Sequence, residues 1–107
     1  MKAEIVWTAG AERDLVMLFD QVSSLTDDFD IALRFLRKPL DSALSLLVEN
    51  SKLGASVEGT QRIRRLLLGP QLRYGLFYVE ENRRIMIHAL LDMRQDPQAI
   101  QSRIRSI

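Results

Sequence analysis

The stretch that decides the fold is residues 61–97, QRIRRLLLGPQLRYGLFYVEENRRIMIHALLDMRQDP. It contains three apolar runs of strand length: RIRRLLL at 62–68, LRYGLFYV at 72–79 and RIMIHALL at 84–91. The breaker cluster GPQ at 69–71 separates the first two runs, and the polar segment EEN at 80–82 separates the last two. Because each break has a recognisable cause and the EEN segment is a turn of hairpin length, the stretch predicts an antiparallel meander of three strands.

Ahead of the meander, the chain predicts a strand followed by a helix. Residues 3–7 are rich in β-formers and predict a short first strand. Thr8 offers an N-cap hydroxyl for a helix over about residues 9–24. The apolar residues of this helix fall on one stripe at i, i+3, i+4 and i+7: Leu15, Leu18, Phe19 and Val22.

A second, longer helix follows the cap signal Thr26-Asp27-Asp28. Pro39 interrupts it, and a proline inside a helix removes a backbone hydrogen bond, so we expect a kink or a restart near Lys38. Both helices have one apolar face, which predicts that they pair as an antiparallel hairpin laid on the sheet. The polar segment 50–59 is then the longest connection.

The end of the chain predicts a short helix. Asp96 is suited to the N-cap, Pro97 to the first helical position, and Arg103 and Arg105 to the negative end of the helix dipole. Its apolar stripe consists of Ile100, Ile104 and Ile107. This stripe either packs onto the body of the domain or stays open for a partner to cover.

The length of 107 residues allows one hydrophobic core, so we expect a single domain over residues 1–107. Its class is α+β: an N-terminal strand, a two-helix antiparallel hairpin packed on an antiparallel sheet, and a short C-terminal helical segment. No apolar stretch approaches the roughly 20 residues that span a bilayer. We therefore expect a cytoplasmic protein with no membrane partner.

Several kinds of chemistry are excluded by residues that the sequence lacks. The absence of cysteine excludes disulfides, thiolate nucleophiles and thiolate zinc sites. His88 is the only histidine, so a histidine-rich metal site is also excluded, and we interpret it as a structural residue. Gly54 and Gly59 lack the lysine of a phosphate-binding loop. We expect neither a cofactor nor a metal.

The net charge of +1 conceals an uneven distribution. Residues 60–107 carry nine arginines against four acidic residues, whereas residues 1–59 carry six basic residues against ten acidic ones. Arginine can bind a carboxylate or a phosphate through two hydrogen bonds. The basic half therefore predicts a surface for an acidic partner, although an exposed sheet edge kept soluble by charge is the alternative for any one arginine.

Four arginines are candidates for a functional cluster. Arg62 and Arg64 share a strand face, Arg73 is on the next strand, and Arg94 follows the third. Such a cluster could hold an RNA phosphate, stabilise charge during backbone cleavage, or bind acidic side chains. A ribonuclease would also need a group that moves a proton. His88, Tyr74 and Tyr78 are available, and the spacing favours none of them.

The order of the elements resembles the RelE/ParE superfamily of toxins from type II toxin–antitoxin pairs. The segment VWTAGAERDLVMLFDQV (6–22) is similar to the family's first strand and helix, and ALRFLRKPLDSALSLLVENSKLGA (32–55) to its second helix and Leu-Gly connection. Three further pieces resemble the meander and its end: RRL at 64–66, LFY at 76–78 and HALLDMRQDP at 88–97.

Departures from the RNase branch of this superfamily indicate which branch the chain resembles. Leu66, Leu68 and Gly75 stand where that branch has basic residues, and neither a tyrosine nor a histidine follows Arg94. The resemblance therefore implies the ParE-like branch, whose members poison DNA gyrase and serve plasmid stabilisation. It also implies a cognate, ParD-like antitoxin that forms a hetero-oligomer with the toxin. Pro39 is unusual for either branch.

The resemblance carries expectations for the site. In the ParE-like reading, residues that bind the antitoxin or the target are Arg64, Arg65, Arg73, Arg94, Ile100 and Ile104. In the alternative reading, the protein is a RelE-like endonuclease that cleaves messenger RNA on the ribosome, with Arg62, Arg64, Arg73 and Arg94 as phosphate clamps. In either case we expect acidic antitoxin residues to contact at least one of Arg64, Arg73 and Arg94. An inactive member that only dimerises or binds its partner is the third alternative.

Overall fold

A computed structural model describes residues 2–26 and 28–107. Its helices and strands follow in this order: β1 (Glu4–Trp7), α1 (Ala9–Thr26), α2 (Phe29–Ala32), a π-helical segment (Leu33–Arg37), α3 (Lys38–Glu49), β2 (Ala55–Ser56), β3 (Ile63–Leu68), a 3₁₀ turn (Pro70–Leu72), β4 (Tyr74–Glu81), β5 (Arg84–Asp92) and α4 (Pro97–Arg105). The predicted α+β class, with a first strand, a helical hairpin, a meander and a terminal helix, is confirmed.

In the described residues the sheet has five strands in the order β1-β5-β4-β3-β2. The predicted meander is confirmed, because β3, β4 and β5 pair antiparallel. The sheet is not antiparallel throughout, since β1 pairs parallel with β5, from Glu4 beside Arg84 to Trp7 beside Ile87. The intervening chain with its helical hairpin is the long connection that a parallel pair requires. The two-residue strand β2, which the sequence did not predict, lies within the predicted 50–59 connection.

Two boundaries of the meander differ from the prediction. Glu80 and Glu81 belong to β4, and the turn consists of Asn82 and Arg83, whose φ angles are 51° and 62°. Two adjacent residues with positive φ form the tight hairpin turn that matches the twist of the flanking strands. At the other end, β4 begins at Tyr74 rather than at residue 72.

The predicted caps are present where the structure describes them. Thr8 Oγ1 accepts a hydrogen bond of 3.2 Å from the backbone N–H of Ala11. Asp28 caps α2 by accepting one of 2.9 Å from the backbone N–H two residues ahead. The rest of that cap signal, Asp27 and the side chain of Thr26, lies outside the described residues.

The irregularity predicted near Lys38, a kink or a restart, is present as a change of helix type. A π-helical segment ends at Arg37, and α3 begins at Lys38 with Pro39 in its first turn. Helical backbone continues through this point, because Arg37 and Lys38 both have right-handed helical angles and Lys38 N donates to Leu33 O five residues back. The irregularity is thus the wider π turn that precedes Pro39, a residue that cannot donate a backbone hydrogen bond. The second arm of the hairpin is therefore three consecutive helical pieces.

The sheet separates two apolar layers. The larger lies between the helical hairpin and the sheet and includes buried Leu36, Leu40, Leu47, Tyr74, Leu76 and Tyr78. The smaller lies on the opposite face under α4 and includes Ile63, Phe77, Val79, Ala89, Leu91 and Ile100. Each face of the sheet is thus covered by helix. None of the helices in the described part of the chain is long and apolar enough to span a membrane.

Candidate functional site

Arg62 and Arg64 lie at one end of the sheet, and both have partners within the chain. Arg62 Nη2 is 3.3 Å from Glu81 Oε2, and both side chains are more than half exposed. Arg64 Nη1 donates to the carbonyl oxygen of Gly54 at 2.7 Å. An exposed ion pair such as the first contributes little to stability, so Arg62 remains available to a partner. Arg64 is already used by the chain itself.

Tyr78 completes this arrangement, since it lies beside Arg64 in the β3–β4 register. Its hydroxyl accepts a hydrogen bond from Gly54 N at 2.9 Å and donates one to Ser51 O at 2.8 Å. Burial raises the pKa of this hydroxyl. Any Cβ at Gly54 would lie 2.8 Å from the Tyr78 ring, so only glycine permits this approach. Arg64 and Tyr78 therefore fix residues 51–54 to the sheet.

Arg65 faces the opposite side of the sheet from Arg64. It pairs with Phe77, a member of the layer under α4, and its side chain is half-buried. Successive residues of a strand point to opposite faces, which is why neighbouring arginines in the sequence do not form one surface.

Arg73 and Arg94 lie at the other end of the sheet, around Asp92. Arg94 donates to both Asp92 carboxylate oxygens, from Nε at 3.3 Å and from Nη2 at 3.1 Å. Burial opposes ionisation of Asp92, but the hydrogen bonds from Arg94 outweigh it and hold the pKa of Asp92 below its ordinary value. Arg73 adds a weaker favourable charge, and its own Nε is buried without a partner among the described residues.

The four candidate clamp arginines do not form one cluster. The register places Arg64 beside Tyr78, whereas Arg73 directly precedes Tyr74. Four residues of strand span about 13 Å, so the two pairs of arginines occupy opposite ends of the sheet. The expectation of a single arginine cluster is wrong, because sequence order along antiparallel strands alternates between the two ends.

His88 lies at a bulge in β5. Phe77 pairs with Ala89 and Tyr78 with Ile87, which leaves His88 as the extra residue. Burial lowers the pKa of His88, and the nearby Arg103 guanidinium lowers it further. A cavity of about 470 Å³ is lined by His88 together with Arg62, Glu81, Thr60 and Ile107, among others. Of the candidate proton-transfer groups, Tyr74 and Tyr78 are 2% and 0% exposed.

The isoleucine stripe of α4 packs onto the domain. Asp96 caps the helix by accepting a 3.0 Å hydrogen bond from Gln98 N, as predicted. Ile100 is 8% exposed within the layer under α4, and Ile104 packs against the same layer. The first of the two alternatives is therefore observed for Ile100 and Ile104, whereas Ile107, the last residue of the stripe, is 37% exposed. Ile100 and Ile104 stabilise the fold in this conformation and are not an open binding surface.

A polar contact that the sequence did not predict joins α1, β5 and α4. Asp14 Oδ2 lies 2.9 Å from Arg103 Nη2 and accepts a 3.1 Å hydrogen bond from Leu90 N. Arg103 Nη2 also donates to the carbonyl of His88 at 3.3 Å. Because β1 ends beside Ile87, the side chains of Asp14 and Arg103 form hydrogen bonds with the β5 backbone just beyond the end of β1. No spacing in the sequence relates these residues.

The outer face of the helical hairpin is the second feature that sequence reasoning missed. Val16, Met17, Leu25 and Phe29 are all at least 59% exposed. A mostly apolar groove of about 370 Å³ runs along this face and is lined by Leu15, Val16, Phe19, Asp20, Phe29, Leu33 and Arg37. The signal was present, because α1 carries apolar residues at 16 and 17 outside its buried stripe.

The fold was compared with those of known proteins. A scan against protein-family models and a search of curated proteins find no match for this chain. Among solved structures, the chain shares its fold with a chain of a ParDE toxin–antitoxin system. A chain from the structure titled chromosomal ParDE toxin–antitoxin system from P. aeruginosa matches with a TM-score of 0.69 at 18% identity, over 85% of this chain and 96% of that one. The resemblance predicted from the sequence is confirmed in the fold.

Proposed function

We propose that this chain is the toxin of a type II toxin–antitoxin pair and that it works in the cytoplasm. In this proposal it is ParE-like: it inhibits DNA gyrase by protein–protein contact and is neutralised by a cognate antitoxin. The observation that carries the proposal is the likeness, over most of both chains, to a chain of a ParDE toxin–antitoxin system.

The arrangement of polar residues supports a toxin that acts without catalysis. Arg64 and the Tyr78 hydroxyl are engaged with residues 51–54, and Tyr74 is buried. General acid–base catalysis needs a proton-transfer group within hydrogen-bond reach of a bound substrate. The two tyrosines cannot serve in this conformation, and the arginines are divided between the ends of the sheet.

The experiment that tests the proposal has two stages. Expression of the chain without an antitoxin is expected to arrest bacterial growth, which an inactive member would not do. Purified protein is then expected to inhibit DNA supercoiling by gyrase or to promote gyrase-dependent DNA cleavage. Unchanged gyrase activity and unchanged DNA cleavage at high protein excess would remove gyrase as the target.

The antitoxin is expected to place acidic side chains at the Asp92 end of the sheet. Arg94 is exposed there, although its Nε and Nη2 atoms already bind Asp92, and Arg73 is half-buried. At the other end, the Nη1 atom of Arg64 is committed to the 51–54 segment. Disordered antitoxin segments that fold on binding commonly combine acidic residues with an amphipathic helix or strand. The apolar groove of the hairpin is suited to the apolar part of such a segment.

Charge reversal tests this docking. Arg73→Glu and Arg94→Glu are expected to weaken antitoxin binding. Arg84→Glu is the matched control, because Arg84 is an exposed arginine at the other end of the sheet and its Nε lies 3.7 Å from Glu4 Oε2. Intact binding at moderate salt after Arg→Glu changes at positions 64, 73 and 94 together would leave the apolar hairpin as the docking surface.

One observation supports the alternative, a ribosome-dependent RNase. Arg62 and His88 line the same cavity, and burial lowers the pKa of His88, which favours the neutral imidazole that a general base must be. Toeprinting on translating ribosomes separates the two functions. A codon-phased cut that disappears in Arg62→Ala and His88→Ala proteins, or in the Arg94→Ala protein, would favour the enzyme.

A further inference from the structure

The connection between β3 and β4 is held in a backbone conformation that its residues do not favour. Gly69, Gln71 and Leu72 have φ angles of 85°, 56° and 54°. Glycine adopts such angles without cost, but a residue with a side chain is strained there, and asparagine tolerates them better than leucine does. Leu72 is thus a branched apolar residue in the left-handed region.

The same leucine contributes little to the fold. Its side chain is 57% exposed, so most of its apolar surface stays in water. The connection itself is well held, because Leu72 N donates to Gly69 O at 3.0 Å and the next residue's carbonyl accepts from Met93 N at 2.8 Å. A strained conformation that the surrounding structure maintains is characteristic of binding and catalytic sites.

The surroundings of Leu72 are basic and partly apolar. Arg73 follows it directly, and Arg94 lies at the same end of the sheet around Asp92. The π-helical segment approaches the connection as well, since the carbonyl oxygen of Phe35 lies 3.4 Å from where a Cβ of Gly69 would be. The Phe35 side chain is 44% exposed. The exposed leucine therefore lies at the end of the sheet that carries Arg73, whose Nε is buried, and Arg94, which is paired with Asp92.

We propose that Leu72 is the apolar anchor by which this chain binds its target protein, entering an apolar socket whose acidic border pairs with Arg73 and Arg94. This rests on the proposed function and deepens it by locating the contact with the target. A protein fits this surface better than a nucleic acid does, because bases are bound by stacking on flat side chains and leucine offers no such face. A buried anchor surrounded by charged contacts is the common organisation of a protein-binding hot spot.

Neighbouring residues provide a matched set of variants. Leu72→Asn removes the apolar side chain but keeps a residue that tolerates positive φ. Gln71→Asn introduces the same residue at the adjacent exposed position, whose φ angle is almost equal. Leu72→Met keeps an apolar anchor of similar volume. Thermal denaturation is measured for all three purified proteins. The unfolding midpoints of the two asparagine variants are expected to be no lower than that of the unchanged chain.

The test compares growth arrest and gyrase inhibition across the set. Leu72→Asn is expected to need at least about tenfold more protein for the same effect, a change that corresponds to about 1.4 kcal/mol. Gln71→Asn and Leu72→Met are expected to act within about threefold of the unchanged chain, well inside that tenfold change. Full activity of Leu72→Asn would overturn the proposal, and so would an equal loss in Gln71→Asn.

The outcomes for the unchanged chain separate the two proposals. If it arrests growth without affecting gyrase, the target is another protein, and the growth comparison alone decides the role of Leu72. If it cuts ribosome-bound RNA instead, the protein anchor is overturned together with the non-enzymatic function. If it does not arrest growth at all, the proposed toxin function fails and the anchor fails with it.

Discussion

The contact between Asp14 and Arg103 gives the sharpest prediction about stability. Asp14→Ala removes the carboxylate that accepts from Leu90 N and pairs with Arg103 Nη2 at 2.9 Å. The two side chains are only 16% and 29% exposed, so water cannot fully replace the lost partner. The substitution leaves a backbone N–H and a guanidinium at the β5 edge without their carboxylate.

The expected loss follows from the partners that remain. A backbone donor left unsatisfied in a partly buried place costs about 1–3 kcal/mol. Breaking a fully buried ion pair costs about 3–5 kcal/mol, and partial exposure of Arg103 together with its remaining bond to His88 O reduces that figure. We therefore expect Asp14→Ala to lower the free energy of unfolding by about 2–3 kcal/mol. For a domain of this size that lowers the midpoint of thermal unfolding by roughly 10 °C.

Urea and thermal denaturation followed by circular dichroism measure this loss. Asp14→Asn keeps an oxygen for Leu90 N and is expected to cost about half as much. Asp20→Ala is the control, since Asp20 is an exposed acidic residue on the same helix and should change stability by no more than about 0.5 kcal/mol. If Asp14→Ala lowers stability as little as the control does, the contact does not stabilise β5 beyond the end of β1.

Three further changes test the contacts around Tyr78 and Asp92. Tyr78→Phe is expected to lower the free energy of unfolding by about 1–2 kcal/mol, because Gly54 N and Ser51 O lose their partner. Urea denaturation measures this loss, and amide hydrogen exchange is expected to become faster at residues 51–54. Gly54→Ala is expected to cost about 1–3 kcal/mol in the same assay, because its Cβ would meet the Tyr78 ring. The folded pKa of Asp92 is lowered, so its pairing stabilises the protein above the unfolded value of about 4 and is lost as the pH falls through the folded pKa. The stability difference between the unchanged chain and Arg94→Ala should therefore be present at neutral pH and shrink in acid; a difference independent of pH would contradict it.

Much of the fold could be predicted because its signals are local. The caps at Thr8, Asp28 and Asp96 each depend on a side chain within three residues of the N–H that it accepts from. The effect of Pro39 is likewise confined to the preceding turn. The parallel pairing of β1 was not predictable in this way, because strand order depends on residues about 80 positions apart.

The arginine site was harder to predict because a charge in the sequence does not reveal its partner. Arg62, Arg64, Arg94 and Arg103 all have acceptors within the chain. The contact of Asp14 with Leu90 crosses 76 residues, and no local pattern indicates it. The excess of arginine in the second half therefore overstated the surface available to an acidic partner.

The exposed apolar residues, unlike the arginines, indicate surfaces that the chain does not use for its own fold. Leu72 has a backbone conformation that leucine does not favour, and its side chain stays exposed to water. Val16, Met17 and Phe29 on the hairpin are exposed apolar residues as well. Where sequence and fold are otherwise consistent, such conflicts concentrate at sites kept for function. The two surfaces differ in kind: the hairpin groove is regular helix that an amphipathic segment can cover, whereas Leu72 projects from a strained turn bordered by arginines. In the two proposals the antitoxin and the target therefore share Arg73 and Arg94 but differ in the apolar surface that each one covers.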